Sequence, residues 1–312
     1  MISNVNKKEN VDNNIQISSY SLQRRNKRNL FTLMLLLPSL VLLLLFFIGP
    51  ILLTGYFAFT NIALTGTASQ AVEFIGFKNF VMMFSDPNFK SSIIATIIFL
   101  LFSGIIGQQV LGFIIALLMK QKKVNFRRFV GICVMAGWIT PEIICAFAWV
   151  AFLGDNGTLN NLINILGFEP ITWMYTFPLV SVIIANIWHG SAFSMLIYQA
   201  ALDDVPRDIE EAAMIDGASS WQRLVRIVLP LIKGPAATNM VIVTLNTLGV
   251  FTLIYTMTGG GPGNATMTLP VFMYNQAFIN YQLGYGTAIS LIMLIIGIFA
   301  SLIYIKLMKV EV

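Results

Sequence analysis

The sequence predicts an all-α polytopic membrane protein with six transmembrane helices, and three observations support this fold class. First, 57% of the 312 residues are hydrophobic and 11% are charged, against about 25% charged residues in a typical soluble domain. Second, apolar runs of the ~20 residues that a helix needs to cross a bilayer recur along the chain. Third, no charged residue lies between Lys233 and Lys306, a stretch too long for one crossing. The predicted spans are 30–53, 92–119, 129–153, 178–200, 236–257 and 286–308.

The chain begins with a polar tail, residues 1–29, which ends in the basic run RRNKRN. Its first twenty residues contain no apolar core, so a cleavable signal is not expected, and its composition is typical of disorder. The sequence therefore predicts two parts, a disordered basic tail and a membrane domain over 30–312.

The distribution of Lys and Arg predicts the orientation. With both termini in the cytoplasm, that side holds six of these residues in the tail, five in loop 120–128, four in loop 201–235 and two at the C-terminus. Only Lys78 and Lys90 are then external, which agrees with the enrichment of Lys and Arg on the cytoplasmic side. Topology and anionic lipid thus explain the formal charge of +5, and no nucleic-acid partner is expected.

Loop 201–235 has the pattern of two short helices joined by a turn. Pro206 and Asp208 suit a helix start. Gly217 suits the left-handed turn that ends this helix, and Ser219 or Ser220 can cap a second one. One interpretation is an amphipathic connection that lies on the membrane surface. The other is a docking element for a partner protein.

The motif EAAMIDGA in this loop, closed by IVLP, resembles the EAA loop of bacterial ABC-importer permeases. Gly217 lies four residues past the second alanine of the motif. In that family the loop forms coupling helices that sit in a groove of a separate cytoplasmic ATPase. The resemblance implies that the ATPase-coupling residues are Glu211, Ala212, Ala213, Asp216 and Gly217.

The resemblance extends over about 30–308 and points to carbohydrate importers. FIGFKNFVMMFSDPNFKSSIIAT (74–96), GDNGTLNNLI and MTGGGP (257–262) are similar to motifs of sugar-importer permeases, in particular of the MalF/UgpA-like member of the permease pair. The resemblance implies a heterodimer with a second permease, two ATPase subunits that bind ATP and Mg, and an extracytoplasmic sugar-binding protein. It also implies a bacterial plasma membrane location and no cofactor in this chain.

Polar residues in the middle of the fourth and fifth spans are candidates for the substrate pathway, because polar groups are costly in hydrocarbon. The fourth-span candidates share one helical face at i, i+3, i+4 and i+7. Trp188 adds an aromatic surface for a sugar. The alternative is that the polar side chains only bridge neighbouring helices. The candidates are Asn186, His189, Gly190, Phe193, Asn246, Thr247 and Val250.

Glu142 lies at the centre of the third span, beside the kink expected at Pro141. A buried carboxylate needs a partner, a proton or water. It could bind substrate, act as a gate, contact a partner subunit, or cap a helix that Pro141 breaks. We favour a structural role, because no matching basic residue lies within any span of this chain.

The external loop 258–285 carries no charge, and the resemblance implies that Gly259, Gly260, Gly261 and Pro262 contact the binding protein. The alternative is a plain hairpin turn.

The chain contains no GxxxxGK[ST], GxSxG, HExxH or CxxC motif and a single histidine, so we predict a non-catalytic subunit without a metal site. Its predicted function is the transport of a sugar, most simply an oligosaccharide. Alternatives are an importer of the same fold for another solute, such as glycerol phosphate, and an ion-driven secondary transporter. A glycerol phosphate importer needs a cationic site, and an ion-driven transporter needs paired acidic residues within the membrane. The predicted spans supply neither.

Overall fold

The computed structural model describes residues 32, 34–120 and 122–308, without the side chains of 305, 307 and 308. The chain divides into two compact units, Met1–Tyr56 and Phe57–Val312. The tail predicted at 1–29 lies outside the described residues.

Helices form nearly all the regular structure in the described ranges, and pairing of extended backbone there is confined to an isolated bridge between Thr60 and Phe74. The predicted all-α fold is therefore confirmed. A short 3-10 turn covers Thr67–Ser69. The helices are α1 (Met34–Phe57), α2 (Lys78–Ser85), α3 (Pro87–Lys120), α4 (Val124–Ile139), α5 (Glu142–Leu153), α6 (Thr158–Ile165), α7 (Trp173–Thr176), α8 (Pro178–Asp203), α9 (Arg207–Ile215), α10 (Ser220–Leu231), α11 (Lys233–Leu248), α12 (Thr252–Thr258), α13 (269–279) and α14 (Leu283–Met308).

Four helices, α1, α3, α8 and α14, are each long and apolar enough to cross a bilayer alone. They agree with the first, second, fourth and sixth predicted spans. The described residues hold up to six spans if each bent helix pair counts as one.

The third predicted span, 129–153, consists of two helices that are separated at Pro141, where the sequence predicted a kink. α4 ends at Ile139, and the segments Val124–Ile139 and Glu142–Ile165 are bent by 99°. Pro141 causes the break, because proline lacks an N–H group and disfavours a helical conformation in the residue before it. Thr140 is accordingly extended, with ψ 128°.

The fifth predicted span, 236–257, is also divided. α11 ends at Leu248, and α12 begins only at Thr252. No proline causes this break. The N–H groups of Gly249 and Val250 donate hydrogen bonds to carbonyl groups in the last turn of α11. These bonds end α11 before the chain continues into α12.

A close contact between α3 and α8 lies at the centre of the second unit. At Gly112 of α3, an added Cβ atom would lie 2.5 Å from the Cβ atom of Ser194 in α8. Small residues permit such approach between membrane helices.

A buried polar cluster joins α11 to this pair of helices. Gln109 Oε1 accepts hydrogen bonds of 2.7 Å from Tyr198 Oη and from Asn239 Nδ2. All three side chains are buried, so this cluster fixes the relative position of α3, α8 and α11.

The loop after α3 and the segment after α8 lie at the same end of the second unit, here called the basic end (Lys120, Arg127, Arg128, Arg207 and Arg223). Lys120 pairs with Glu210 of α9, and Arg127 of α4 pairs with Asp203 at the end of α8. The two segments that the charge distribution placed on one side of the membrane are thus together.

The segment 258–285 at the opposite end is more than a plain hairpin turn, because it contains α13. Leu269 and Phe272 of this helix are fully buried in a cluster with Phe89. The Leu269 N–H group donates to Thr96 Oγ1 at 2.8 Å, which ties the start of α13 to α3.

Candidate functional site

A cleft of about 210 Å³ lies where the breaks in the third and fifth spans face the middle of α3 and α8. Discontinuous helices near the centre of a membrane protein are typical of transporter substrate sites. The cleft contains every residue predicted for the substrate pathway. Its lining comprises the predicted Asn186, His189, Gly190, Phe193, Asn246, Thr247 and Val250, together with Gln108, Trp138, Glu142 and Val243.

Asn186 serves mainly to join helices. Its side chain is 4% exposed, and Nδ2 donates to Ser103 Oγ of α3 at 2.8 Å. Gln108 Nε2 donates to the Asn186 backbone oxygen at 3.1 Å. Because both bonds connect α3 with α8, the interhelical role weighed for this residue matches its position better than direct substrate binding.

His189 lies at the break in the third span. Its Nε2 atom is 3.3 Å from the backbone oxygen of Thr140. This carbonyl group belongs to the residue between α4 and α5, where the helical hydrogen-bond ladder is interrupted. His189 thus connects α8 to the broken span with one ring nitrogen.

Asn246 and Thr247 differ although they are neighbours at the end of α11. Thr247 is buried, whereas Asn246 is exposed, and the Asn246 amide has no hydrogen-bond partner among the described residues. A side-chain amide offers two donors and an acceptor. Asn246 is therefore the polar side chain on the fifth span that is best placed for a ligand.

Gly190 allows the side chain of Gln108 to lie directly against α8. A Cβ atom at this position would lie 2.3 Å from Gln108 Cδ and Oε1. Gln108, which was not assigned to a site from the sequence, forms part of the cleft because Gly190 leaves room for it.

The aromatic wall of the cleft is the pair Trp138–Phe193, with ring centroids 5.8 Å apart and planes at 33°. Trp188, which was expected to supply the aromatic surface, points elsewhere and packs against Trp149 with ring centroids 6.2 Å apart. Periodicity locates a face within one helix, whereas Trp138 enters the cleft from the end of α4.

The coupling segment 207–231 has the predicted helix–turn–helix form. Gly217 has a φ of +80°, in the left-handed region that favours glycine. Ser219 caps α10 in a capping box with Gln222. Gly217 thus ends the first helix and Ser219 caps the second, as the sequence predicted.

The surface of this segment combines acidic and apolar side chains. Ile215 is 88% exposed and Trp221 is 71% exposed. Glu211, Ala212, Asp216 and Gly217 are exposed, and Ala213 is half-buried. Large exposed apolar side chains rimmed by polar groups mark either protein-binding or membrane-binding surfaces, so both interpretations of this segment fit its surface.

The comparison with known proteins decides the family. Residues 108–307 match the family described as "Binding-protein-dependent transport system inner membrane component". The chain belongs to this family. It is therefore a multi-pass membrane permease that works with a binding protein, and not an enzyme.

Curated relatives match this permease over most of their length. The "Sulfoquinovosyl glycerol transport system permease protein SmoG" of Agrobacterium fabrum is 30% identical, over 90% of this chain and 91% of its own. The "Trehalose/maltose transport system permease protein MalF" of Thermococcus litoralis is 30% identical, over 88% of this chain and 92% of its own.

Among solved structures, a bacterial alginate ABC transporter in complex with its alginate pentasaccharide-bound periplasmic protein contains a chain of the same fold. The TM-score is 0.78 at 23% identity, covering 92% of this permease and 98% of that chain. This likeness supports the type I ABC-importer permease fold.

The GGGP segment of the permease is only partly at the surface. Gly259 is exposed, Gly261 and Pro262 are half-buried, and Gly260 is buried. With a φ of +93°, Gly260 packs where an added Cβ atom would lie 3.2 Å from Met267 Cε and Val271 Cγ1. Of the four residues predicted to contact the binding protein, Gly260 is thus buried against Met267 and Val271 of this chain.

Proposed function

We propose that this permease forms, with a second permease, the pathway by which an ABC importer takes up a saccharide, in particular an oligosaccharide. The observation that carries the proposal is the cleft at the two helix breaks, where Asn246 offers a free amide beside the Trp138–Phe193 ring pair. Sugars require hydrogen-bonding groups for their hydroxyls and an aromatic face for their rings. The saccharide transporters among the relatives support the same substrate class.

The size of the cleft supports a second permease. Ligand pockets usually measure about 300–1,000 Å³, and the cleft in this chain measures about 210 Å³. A facing subunit would supply the missing wall. A different second subunit is expected from the resemblance to one member of a permease pair.

The coupling segment is proposed to dock on a cytoplasmic ATPase, through Glu211, Asp216 and the exposed Ile215. Two such ATPase subunits would bind ATP and Mg, and this chain would bind no cofactor. The basic end is then cytoplasmic, with both termini on that side of a bacterial plasma membrane. Gly259 at the opposite end is proposed to contact the sugar-loaded binding protein.

Co-purification tests this assembly. The tagged permease is extracted from its native membrane in gentle detergent, and its partners are identified by mass spectrometry. We expect a P-loop ATPase and a second permease, and ATP hydrolysis by the purified complex should rise when sugar-loaded binding protein is added. Recovery of the permease alone, in a stable and monodisperse form, would contradict the proposed coupling.

A further inference from the structure

We propose that Glu142 contacts the transported saccharide and that its negative charge restricts the cleft to uncharged sugars. This inference rests on the proposed function, and it specifies the substrate class of the same cleft. The relatives do not decide it, because their named substrates include both trehalose/maltose and the acidic polysaccharide alginate.

The position of Glu142 follows from the break at Pro141. It is the first residue of α5, and it lines the cleft together with His189 and Asn246. Its side chain is half-buried. The break thus brings a carboxylate from the middle of a membrane span to the wall of a cavity.

The structure does not support a capping role for this carboxylate. At the start of α5, the N–H groups of Ile144 and Cys145 both donate to the backbone oxygen of Pro141. No hydrogen bond or ion pair of the Glu142 carboxylate is found among the described residues. Its oxygens are therefore free to accept hydrogen bonds from a ligand.

Glu142 lies in the first turn of α5. The N-terminus of a helix carries a partial positive charge, which favours an adjacent carboxylate. The other titratable side chain in the cleft is His189, which has one ring nitrogen beside Thr140 O. No lysine or arginine lines the cleft, so the cavity has no permanent positive charge to offset Glu142.

This arrangement suits a polyhydroxylated, uncharged ligand. Hydroxyl groups that donate to a carboxylate form charge-assisted hydrogen bonds, which are about twice as strong as neutral ones. Asn246 adds donors and an acceptor. A sugar acid would place a second carboxylate within a few Å of Glu142, and repulsion at that distance corresponds to roughly 100-fold weaker binding.

Direct binding to the purified complex tests the proposal. The complex is placed in lipid nanodiscs, and the fluorescence of its tryptophans, which include Trp138 in the cleft, is followed during titration. The neutral probes are maltotriose, raffinose and cellotriose, and the acidic probe is trigalacturonic acid. For the native complex we expect at least one neutral trisaccharide to bind, with trigalacturonic acid about 100-fold weaker.

Two variants separate the contact from the charge. Glu142→Gln should bind the neutral sugar about 10-fold less tightly, and its discrimination against trigalacturonic acid should fall to within about 10-fold. Glu142→Asp keeps the carboxylate but shortens the side chain by one methylene group. It should therefore bind the neutral sugar less tightly and still discriminate against trigalacturonic acid. Glu169→Gln, which removes an exposed carboxylate outside the cleft, is the matched control and should behave like the native chain.

The outcomes distinguish this inference from the proposed function. If no saccharide binds the native complex or stimulates its ATP hydrolysis, the sugar assignment itself fails. If a neutral sugar binds but Glu142→Gln and Glu169→Gln are indistinguishable, only the role of Glu142 is overturned. Equal binding of trigalacturonic acid and the neutral sugar by the native complex also overturns it.

Discussion

The contact between Gly190 and Gln108 provides a quantitative test of how α3 and α8 pack beside the cleft. A Cβ atom at position 190 would lie 2.3 Å from Gln108 Cδ and 2.5 Å from Nε2, more than 1 Å inside an ordinary carbon contact of about 3.5–4.0 Å. Gln108 is 5% exposed, so it has little room to move. Gly190→Ala should therefore displace Gln108 and break its 3.1 Å bond to the Asn186 oxygen.

The cost of Gly190→Ala has two components. Overpacking of this kind costs about 1–3 kcal/mol, and the lost hydrogen bond adds about 1 kcal/mol. Gln108→Ala alone loses the same hydrogen bond and leaves a small space. In the double variant the new methyl group occupies that space, so the double variant should be about as stable as Gln108→Ala, with a coupling of about 2–4 kcal/mol, equal to the full cost of Gly190→Ala.

The assay is thermal unfolding of the detergent-solubilised complex, followed by the loss of the monodisperse peak of a fluorescently tagged permease. Gly131→Ala is the control, because a Cβ atom at that position meets no atom within 4 Å. We expect the midpoint to fall by several degrees for Gly190→Ala and to be unchanged for Gly131→Ala. Midpoint shifts that simply add in the double variant would show that these two residues do not touch.

Three further predictions concern the coupling segment and the opposite end of the molecule. Glu211→Lys should retain ATP hydrolysis but lose sugar uptake, because it reverses a charge on the proposed docking surface; normal uptake in proteoliposomes would count against docking. Gly217→Ala strains a residue with a φ of +80° by about 1–2 kcal/mol and should lower uptake per ATP hydrolysed, whereas Gly234→Ala, with open space around the new methyl group, should not. Asn160→Ala removes five hydrogen bonds to residues 154, 155, 171 and 173. Backbone amide hydrogen exchange across 154–173 should therefore accelerate strongly, whereas substitution of the exposed neighbour, Asn161→Ala, should leave the exchange rates unchanged.

The sequence was most informative where a residue type has one physical use. Gly217 ends a helix in the left-handed region and Ser219 begins the next, because few other residues suit these positions. The long apolar runs behaved similarly: the spans at α3, α8 and α14 required only length and the absence of charge. The shared face of α8 likewise followed from helical periodicity.

The helix breaks were harder to predict. Pro141 indicated a kink, but a 99° bend depends on what packs against both halves. The break after Leu248 has no proline, and its sequence LGVF is compatible with a continuing helix. The sequence predicted an external loop over 258–285. The helix α13 within it is an apolar run, 269–279, that is shorter than a membrane span, and its burial against α3 and α14 is a tertiary effect.

These same breaks explain why the cleft could be predicted only in part. Residues on a continuous helix, such as His189 and Phe193, are found by their spacing. Residues at the ends of broken helices, such as Trp138 and Glu142, reach the cleft because the backbone changes direction. The structural role favoured for Glu142 rested on the lack of a matching basic residue within the predicted spans. The break places the Glu142 carboxylate at the wall of the cleft. Because no lysine or arginine lines the cleft, we infer that this carboxylate contacts an uncharged ligand.

α3 physically joins the proposed docking surface to the cleft. At its basic end Lys120 pairs with Glu210 of α9, and twelve residues earlier Gln108 lies in the cleft, a distance of roughly 18 Å along a helix. Between them Gln109 connects α3 with α8 and α11 through buried hydrogen bonds. Above Gln108 the backbone is π-helical over Leu100–Gln108, a less regular form that often occurs at functional sites. If an ATPase docks on α9 as proposed, the Lys120–Glu210 pair and the Gln109 hydrogen bonds are the contacts through which α3 would follow its movement, and the π-helical segment ends at the level of the cleft.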